Sequence, residues 1–246
     1  QTQLPFDALP VWKEFRAQSL DEQRRALADP TMRQRLIHSA DTAEYGRAIG
    51  TEARKPEWQY VFPVTAGLPP YETIAELAAA RGTSPMETFI DIAVESDLNM
   101  FFMQAAANHD QDRVLEFLRH PQAIPTFSDS GAHVSQIMDS SLQTHMLGHW
   151  VRNEQAFTIE QAVHRMTQVP ATAWGFLDRG VIAPGMAADI NVFDLGTVTP
   201  DMPELVYDLP GGARRLRQTA SGFRATLVNG QVLLDHGEAT GARPGQ

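Results

Sequence analysis

The feature that most constrains this chain is a change of sequence period part-way along it. Up to about residue 178, short apolar runs alternate with stretches of helical spacing; after Gly180 helical spacing disappears and strand-like runs remain. Ser19-Leu20-Asp21-Glu22 fits a capping box, and Asp29-Pro30 stops the helix that it opens. Trp58, Tyr60, Phe62 and Val64 alternate as on one face of a strand, which Pro63 ends or confines to an edge. Ile74, Leu77, Ala78 and Arg81 follow at helical spacing and stop at Gly82. Ser84-Pro85 opens a helix whose stripe is Met86, Phe89, Ile90, Ala93 and Val94, with Asp91 and Glu95 facing water. Asn99 to Gln104 reads as a buried parallel strand, and Asp112 to Arg119 as a brief helix. Ile124 to Phe127 reads as the next strand, running into Ser128-Asp129-Ser130-Gly131-Ala132-His133; a long helix then spans about Gln136 to Arg152. Thr158 caps a helix carrying Ile159, Ala162, Val163 and Met166. Strand and helix alternating at these lengths predict βα units on a parallel sheet. Beyond a boundary near 178, Asp189 to Phe193 and Ala225 to Val228 read as strands, and Asn229-Gly230 as a two-residue hairpin into Gln231 to Leu234.

Composition narrows the function classes. The chain has 246 residues, 20 Lys+Arg, 30 Asp+Glu, a net charge of −10 and no Cys. A disulfide framework, an all-thiolate metal site and a Cys nucleophile are excluded. The acidity leaves no basic stripe to displace counterions from phosphate, so nucleic acid is not an expected partner. No apolar run approaches the roughly 20 residues of a membrane helix, and Gln1 to Phe6 lack a secretory pattern. The expectation is a soluble, cytoplasmic protein acting on a small molecule, with no membrane partner.

Asp129 is the first candidate for chemistry. It follows directly on a predicted parallel strand, where α/β folds place catalytic groups, and a carboxylate there can serve as a general base. Asp-Ser-Gly is equally good turn chemistry, and the residues alone leave both readings open. His133, in the same loop, can orient Asp129, touch substrate or cap the following helix. His145 and His149 are spaced i, i+4, but Met146 stands where a metalloprotease motif has Glu, so they are read as core or supporting histidines. No GxGxxG, P-loop or GxSxG elbow is present; residues 128 and 132, where the elbow needs glycine, are Ser and Ala.

Several segments together resemble one family. Ser128-Asp129-Ser130-Gly131-Ala132-His133-Val134 resembles the strand-eight signature of the amidohydrolase superfamily. Residues 180–189, GVIAPGMAAD, look like the segment that returns its chain from the barrel to a β-sandwich. Residues 228–232 and 237–245 are similar to the end of the N-acyl-D-amino-acid deacylase group, amidohydrolase family three, which includes the D-aminoacylases, and residues 208–213 to a further stretch of that group. The resemblance runs with interruptions from about residue 70 to the end, and more weakly before that. It implies an α/β fold: the C-terminal part of a (β/α)8 TIM-type barrel over residues 1–178, then the C-terminal strands of a small β-sandwich over 179–246. It also implies Zn2+, one or two ions, whose bound hydroxide attacks an amide carbonyl. Asp129 matches the aspartate that takes the proton from that water and delivers it to the departing amine, and which can itself touch the metal. Ser130 and His133 match motif positions with a substrate-binding or supporting role.

Two departures from the family pattern stand out. No His-x-His exists anywhere in the sequence, although the family's metal ligands come chiefly from the early strands. No Arg occurs from Val134 to Trp150, where D-aminoacylases carry one that holds the substrate carboxylate. A barrel of this kind takes roughly 250 residues before any sandwich is added. The chain is therefore expected to be the C-terminal half of an amidohydrolase, inactive alone. The missing N-terminal half is supplied in cis or as a separate chain, and an exposed half-barrel invites association, including with a second copy. A cyclic-amide hydrolase of dihydropyrimidinase type and an inactive half serving as a structural partner are the alternatives.

Overall fold

The computed structural model describes residues 4–46, 54–105, 107–126, 128, 130–131, 134 and 140–245. The chain forms two compact units, Gln1–Thr65 with Pro70–His109, and Ala66–Pro69 with Asp110–Gln246.

The first unit is built on helices whose ends are written locally. α1 (Pro10–Arg16) leads into α2 (Leu20–Ala28), where Ser19 Oγ accepts from the Glu22 amide and the Glu22 carboxylate accepts from the Ser19 amide. Asp29 closes α2 and caps α3 (Pro30–Thr42), its carboxylate accepting from the Thr31 amide. α4 (Ile74–Arg81) opens on a second capping box, Thr73 with Glu76, and stops at Gly82 in the left-handed region. α5 (Pro85–Glu95) is capped by Ser84. The core gathers Phe6, Trp12, Leu36, Ile74, Met86 and Phe89, all buried. Trp12 keeps its indole N–H satisfied by donating to the Leu36 carbonyl at 3.0 Å. α5 buries Met86, Phe89 and Ile90 as the stripe predicts, but Ile92 is also buried while Val94 is exposed. The cause is that α5 packs against α2 and α3 as well as α4, which widens its covered face beyond a single stripe.

Strands in this unit differ from expectation. Residues 58–60 form a 3-10 turn, and only β1 (Val61–Pro63) is extended. It pairs antiparallel with β2 (Phe102–Gln104), Val61 opposite Gln104. The buried parallel strand predicted over 99–104 is thus a short antiparallel one with Met103 exposed. Parallel strands are stable inside sheets covered on both faces, and β1 offers one short partner.

The second unit begins with α6 (Gln111–Arg119), capped by Asp110. Residues 123–126 are not a strand, in contrast to the prediction for 124–127. No neighbouring strand meets their backbone groups among the described residues; Gln143 Nε2 donates to the Thr126 carbonyl instead. Of the long helix predicted over about 136–152, residues 136–139 lie outside the described residues; from Leu142 a short α7 (Leu142–His145) widens into a π-helical stretch, Met146–Asn153. α8 (Ile159–Met166) starts on a Thr158–Gln161 capping box, and α9 (Gln168–Trp174) ends at Gly175. Met146, Trp150, Phe157 and Ala162 form the core of this unit, with Val114, Leu115 and Leu118 of α6 against it.

From here on the unit is all strand: β3 (Ile190–Phe193), β4 (Thr199–Pro200), β5 (Glu204–Leu209), β6 (Ala213–Arg217), β7 (Ala220–Ser221), β8 (Phe223–Val228), β9 (Gln231–Asp235) and β10 (Glu238–Ala239). β10-β9-β8-β3 form one sheet, while β4 pairs with β7 and β5 with β6. Asn229 and Gly230, both at positive φ, make the hairpin that the sequence predicts. Every strand pair among the described residues is antiparallel, so the parallel barrel strands inferred from the resemblance are not seen there. No residue of the four-stranded sheet is buried.

Candidate functional site

Of the predicted site residues, Asp129 and His133 lie outside the described residues. Ser130 is described and exposed; its amide donates to Ser128 Oγ at 3.2 Å, a local turn of the kind Ser favours. Gly131 follows at φ +92°, where a side chain would be strained. The framework around this loop is explicit. Gln143 holds the Thr126 carbonyl on the entering side. On the leaving side the Val134 carbonyl accepts from the Leu216 amide of β6 at 2.8 Å, and Ser140 Oγ donates to Gln218 Oε1 at 3.4 Å. Thr126 is thus tied to α7, and Val134 and Ser140 to the β-rich part of the same unit.

α7 and the π-helical stretch bring His145 and His149 together, with ring centroids 4.8 Å apart. The His149 ring also lies 4.5 Å from the Trp150 ring. Burial pushes the His145 imidazole down to about 4, helped by its neighbour His149. Burial likewise lowers His149, against the opposing pull of Glu154. Both rings are neutral at pH 7, and His149 Nδ1 is buried without a hydrogen-bond partner. His149 is buried, as the core reading of this pair expects. Beside it an open cavity of about 380 Å³ is lined by Asp112, Arg119, His149, Trp150 and Glu154. Arg119 is engaged there already, donating to the Ala156 carbonyl and lying over the Phe157 ring.

The implied metal finds no ligand set here. Among the described residues no group of three or more His, Asp or Glu side chains is placed to hold an ion. The histidine pair stands without a described carboxylate to complete it. Sequence reasoning missed Arg152, whose guanidinium donates to the carbonyls of Leu195 at 3.2 Å and Val198 at 2.6 Å. It fastens the π-helical stretch to the turn after β3, and no spacing pattern signals it because its partners are backbone atoms far along the chain.

The amidohydrolase family profile matches residues 4–234. The chain belongs to the amidohydrolase family. Among curated relatives, the N-acyl-D-aspartate deacylase of Alcaligenes xylosoxydans xylosoxydans is 28% identical over 196 residues, covering 77% of this chain and 34% of the relative. The N-acyl-D-glutamate deacylase of the same organism is 36% identical over 103 residues, covering 42% of this chain and 19% of the relative. Among solved structures, the N-acyl-D-glutamate deacylase of Bordetella bronchiseptica, complexed with zinc and a phosphonate inhibitor, is 29% identical. That match covers 76% of this chain and 37% of the other, with a TM-score of 0.46. The matches of this amidohydrolase chain thus span from about a fifth to just over a third of the length of those relatives. Among its described residues no helix is long and apolar enough to cross a membrane.

Proposed function

We propose that this chain is part of a zinc-dependent amidohydrolase that hydrolyses an N-acyl amino acid or a related amide. The observation that carries the reading is the family match over residues 4–234, joined to deacylases among the relatives. Residues 1–178 correspond to the later barrel and 179–246 to the end of the sandwich. Asp129, at the strand-eight position, accepts the proton of the attacking water and returns it to the departing amine, a role suited to a carboxylate kept ionised. Ser130 and His133 support the substrate in the same loop. The zinc ligands lie mainly in polypeptide this chain does not contain, in keeping with the absence of any His-x-His. The chain alone is therefore inactive. The lack of Arg between Val134 and Trp150 means that a substrate carboxylate, where there is one, is held by a group elsewhere.

The test compares this chain alone with the longer product that includes the polypeptide encoded upstream of Gln1, assaying zinc content, release of free amino acid from N-acyl-D-aspartate and N-acyl-D-glutamate, and ring opening of a dihydropyrimidine. Zinc-dependent turnover is expected from the longer product alone. Turnover by residues 1–246 would overturn the half-enzyme reading. Asp129→Asn in the longer product should keep zinc and lose kcat by about 100-fold or more; unchanged kcat would rule out the proton role.

A further inference from the structure

Asn229-Gly230 is the one place in the sequence where glycine follows asparagine. The pair makes the exposed turn between β8 and β9, with φ +47° at Asn229 and +76° at Gly230. Glycine after asparagine leaves the main-chain nitrogen open to react with the carboxamide, because no Cβ shields it. In that reaction the Gly230 nitrogen loses its proton and bonds to Asn229 Cγ, and ammonia leaves. Water then opens the resulting five-membered imide at one carbonyl or the other, giving aspartate or isoaspartate. One water is consumed and one ammonia released, with no oxidant, reductant or other co-reactant.

The structure holds both groups that this step must free. The Gly230 amide donates its proton to the Ala188 carbonyl at 3.0 Å, so the nucleophile is engaged. Asn229 Nδ2, the departing nitrogen, donates to the Pro244 carbonyl at 2.7 Å, which anchors the carboxamide on the C-terminal segment. The Asn229 amide donates to Asp189 Oδ1 at 2.9 Å and fixes the turn beside the start of β3. The C-terminal segment is in turn tied back to β9. Thr240 Oγ1 donates to the Val232 carbonyl at 2.7 Å and accepts from the Ala242 amide at 3.2 Å. Hydrogen bonds of a chain end open more often than those within a sheet, so the bond to Pro244 yields before the hairpin does.

We infer that Asn229 is a modification site whose conversion to aspartate or isoaspartate is gated by the C-terminal segment at Pro244. Conversion also removes the gate. A carboxylate has no N–H to give the Pro244 carbonyl. Isoaspartate adds a methylene to the main chain between residues 229 and 230, which disturbs the pairing of Val228 opposite Gln231. The step therefore runs one way, from a C-terminal segment fastened on the hairpin to a released one.

The experiment incubates the chain at mildly alkaline pH, in buffer and in concentrated urea, and maps aspartate and isoaspartate at every asparagine by peptide mass spectrometry. Two variants loosen the segment by different routes. Deletion of residues 243–246 removes the Pro244 carbonyl; Thr240→Val keeps it and removes the hydroxyl anchor. Hydrogen exchange of β8 checks that the sheet persists in each, and the deletion decides the matter if Thr240→Val unsettles β8. In the wild-type chain Asn229 should convert about tenfold or more slowly in buffer than in urea. Each variant should convert about fivefold faster than wild type in buffer and at the wild-type rate in urea. Wild-type chain that has converted should lose exchange protection over residues 240–243. Equal rates in buffer and urea would overturn the inference, as would variants with an intact β8 that convert no faster than wild type. Faster conversion of another asparagine in the folded chain would do the same.

Discussion

His145 is a residue whose protonation the fold controls closely, because desolvation and a second imidazole 4.8 Å away both oppose its charging. The consequence for stability has a definite sign. Above pH 6.5 the ring is neutral whether the chain is folded or not, and pH has no effect through it. Between about 6.5 and about 4 the unfolded chain binds the proton and the folded chain does not, so stability falls as pH falls, by up to about 3 kcal/mol. Below 4 the loss levels off. His149, also lowered by burial, adds in the same direction. Ring-proton titration should place His145 near 4, and His145→Gln should flatten the urea midpoint between pH 7 and 5. A His145 titrating near 6.5 would show that the ring is open to water. The closeness of the histidine pair was legible in the sequence through its i, i+4 spacing, whereas Asp129, marked by its motif, lies outside the described residues. The neutrality of the pair was not, because burial depends on packing, here with the Trp150 ring beside both imidazoles, rather than on spacing.

Elements whose signals are local came out as the sequence reads. The capping box at Ser19, the cap at Thr158 and the Asn229-Gly230 hairpin each need only a few neighbouring residues, so distant partners matter little to them; the Thr73–Glu76 box was not read from the sequence. The strands predicted over 99–104 and 124–127 depended on partners elsewhere in the chain. Over 102–104 the available partner is antiparallel, and over 123–126 none is described. The β-rich end also contains turns that only glycine allows, in two degrees. Gly222 has φ +89°, and a Cβ there would stand 2.5 Å from the backbone of Val198; Gly230 has φ +76° with its nearest neighbour 3.8 Å away. Gly222→Ala should therefore cost about 3 kcal/mol or more, Gly230→Ala about 1 kcal/mol. Equal midpoint shifts in urea would mean that the backbone around Val198 yields. Arg152→Met belongs with these, since it removes a charged donor from the Val198 carbonyl at 2.6 Å and should cost about 2 kcal/mol.

At the scale of the whole chain, the two units are unequally provided with core. The first buries Phe6, Trp12, Phe15, Leu36, Met86 and Phe89 in one cluster cross-linked by aromatic contacts, including Phe6 on Trp12 at 4.7 Å and Phe89 on Phe102 at 4.0 Å. The second gathers a smaller cluster around Trp150 and Phe157, and its four-stranded sheet buries no residue at all. A sheet of this size normally draws its stability from a covered face. The two clusters have no residue in common, so nothing obliges them to melt together. Chemical denaturation of the isolated chain should show two transitions. Trp12 and Trp58 report the first unit, and Trp150 the second, in variants that replace the remaining tryptophans by Phe. The Trp150 signal should be lost at the lower urea concentration and the Trp12 signal at the higher. Coincident loss of both signals would mean that the chain unfolds as one cooperative body. A Trp150 transition at the higher urea concentration would mean that the second unit draws more stability from its small cluster than burial accounts for.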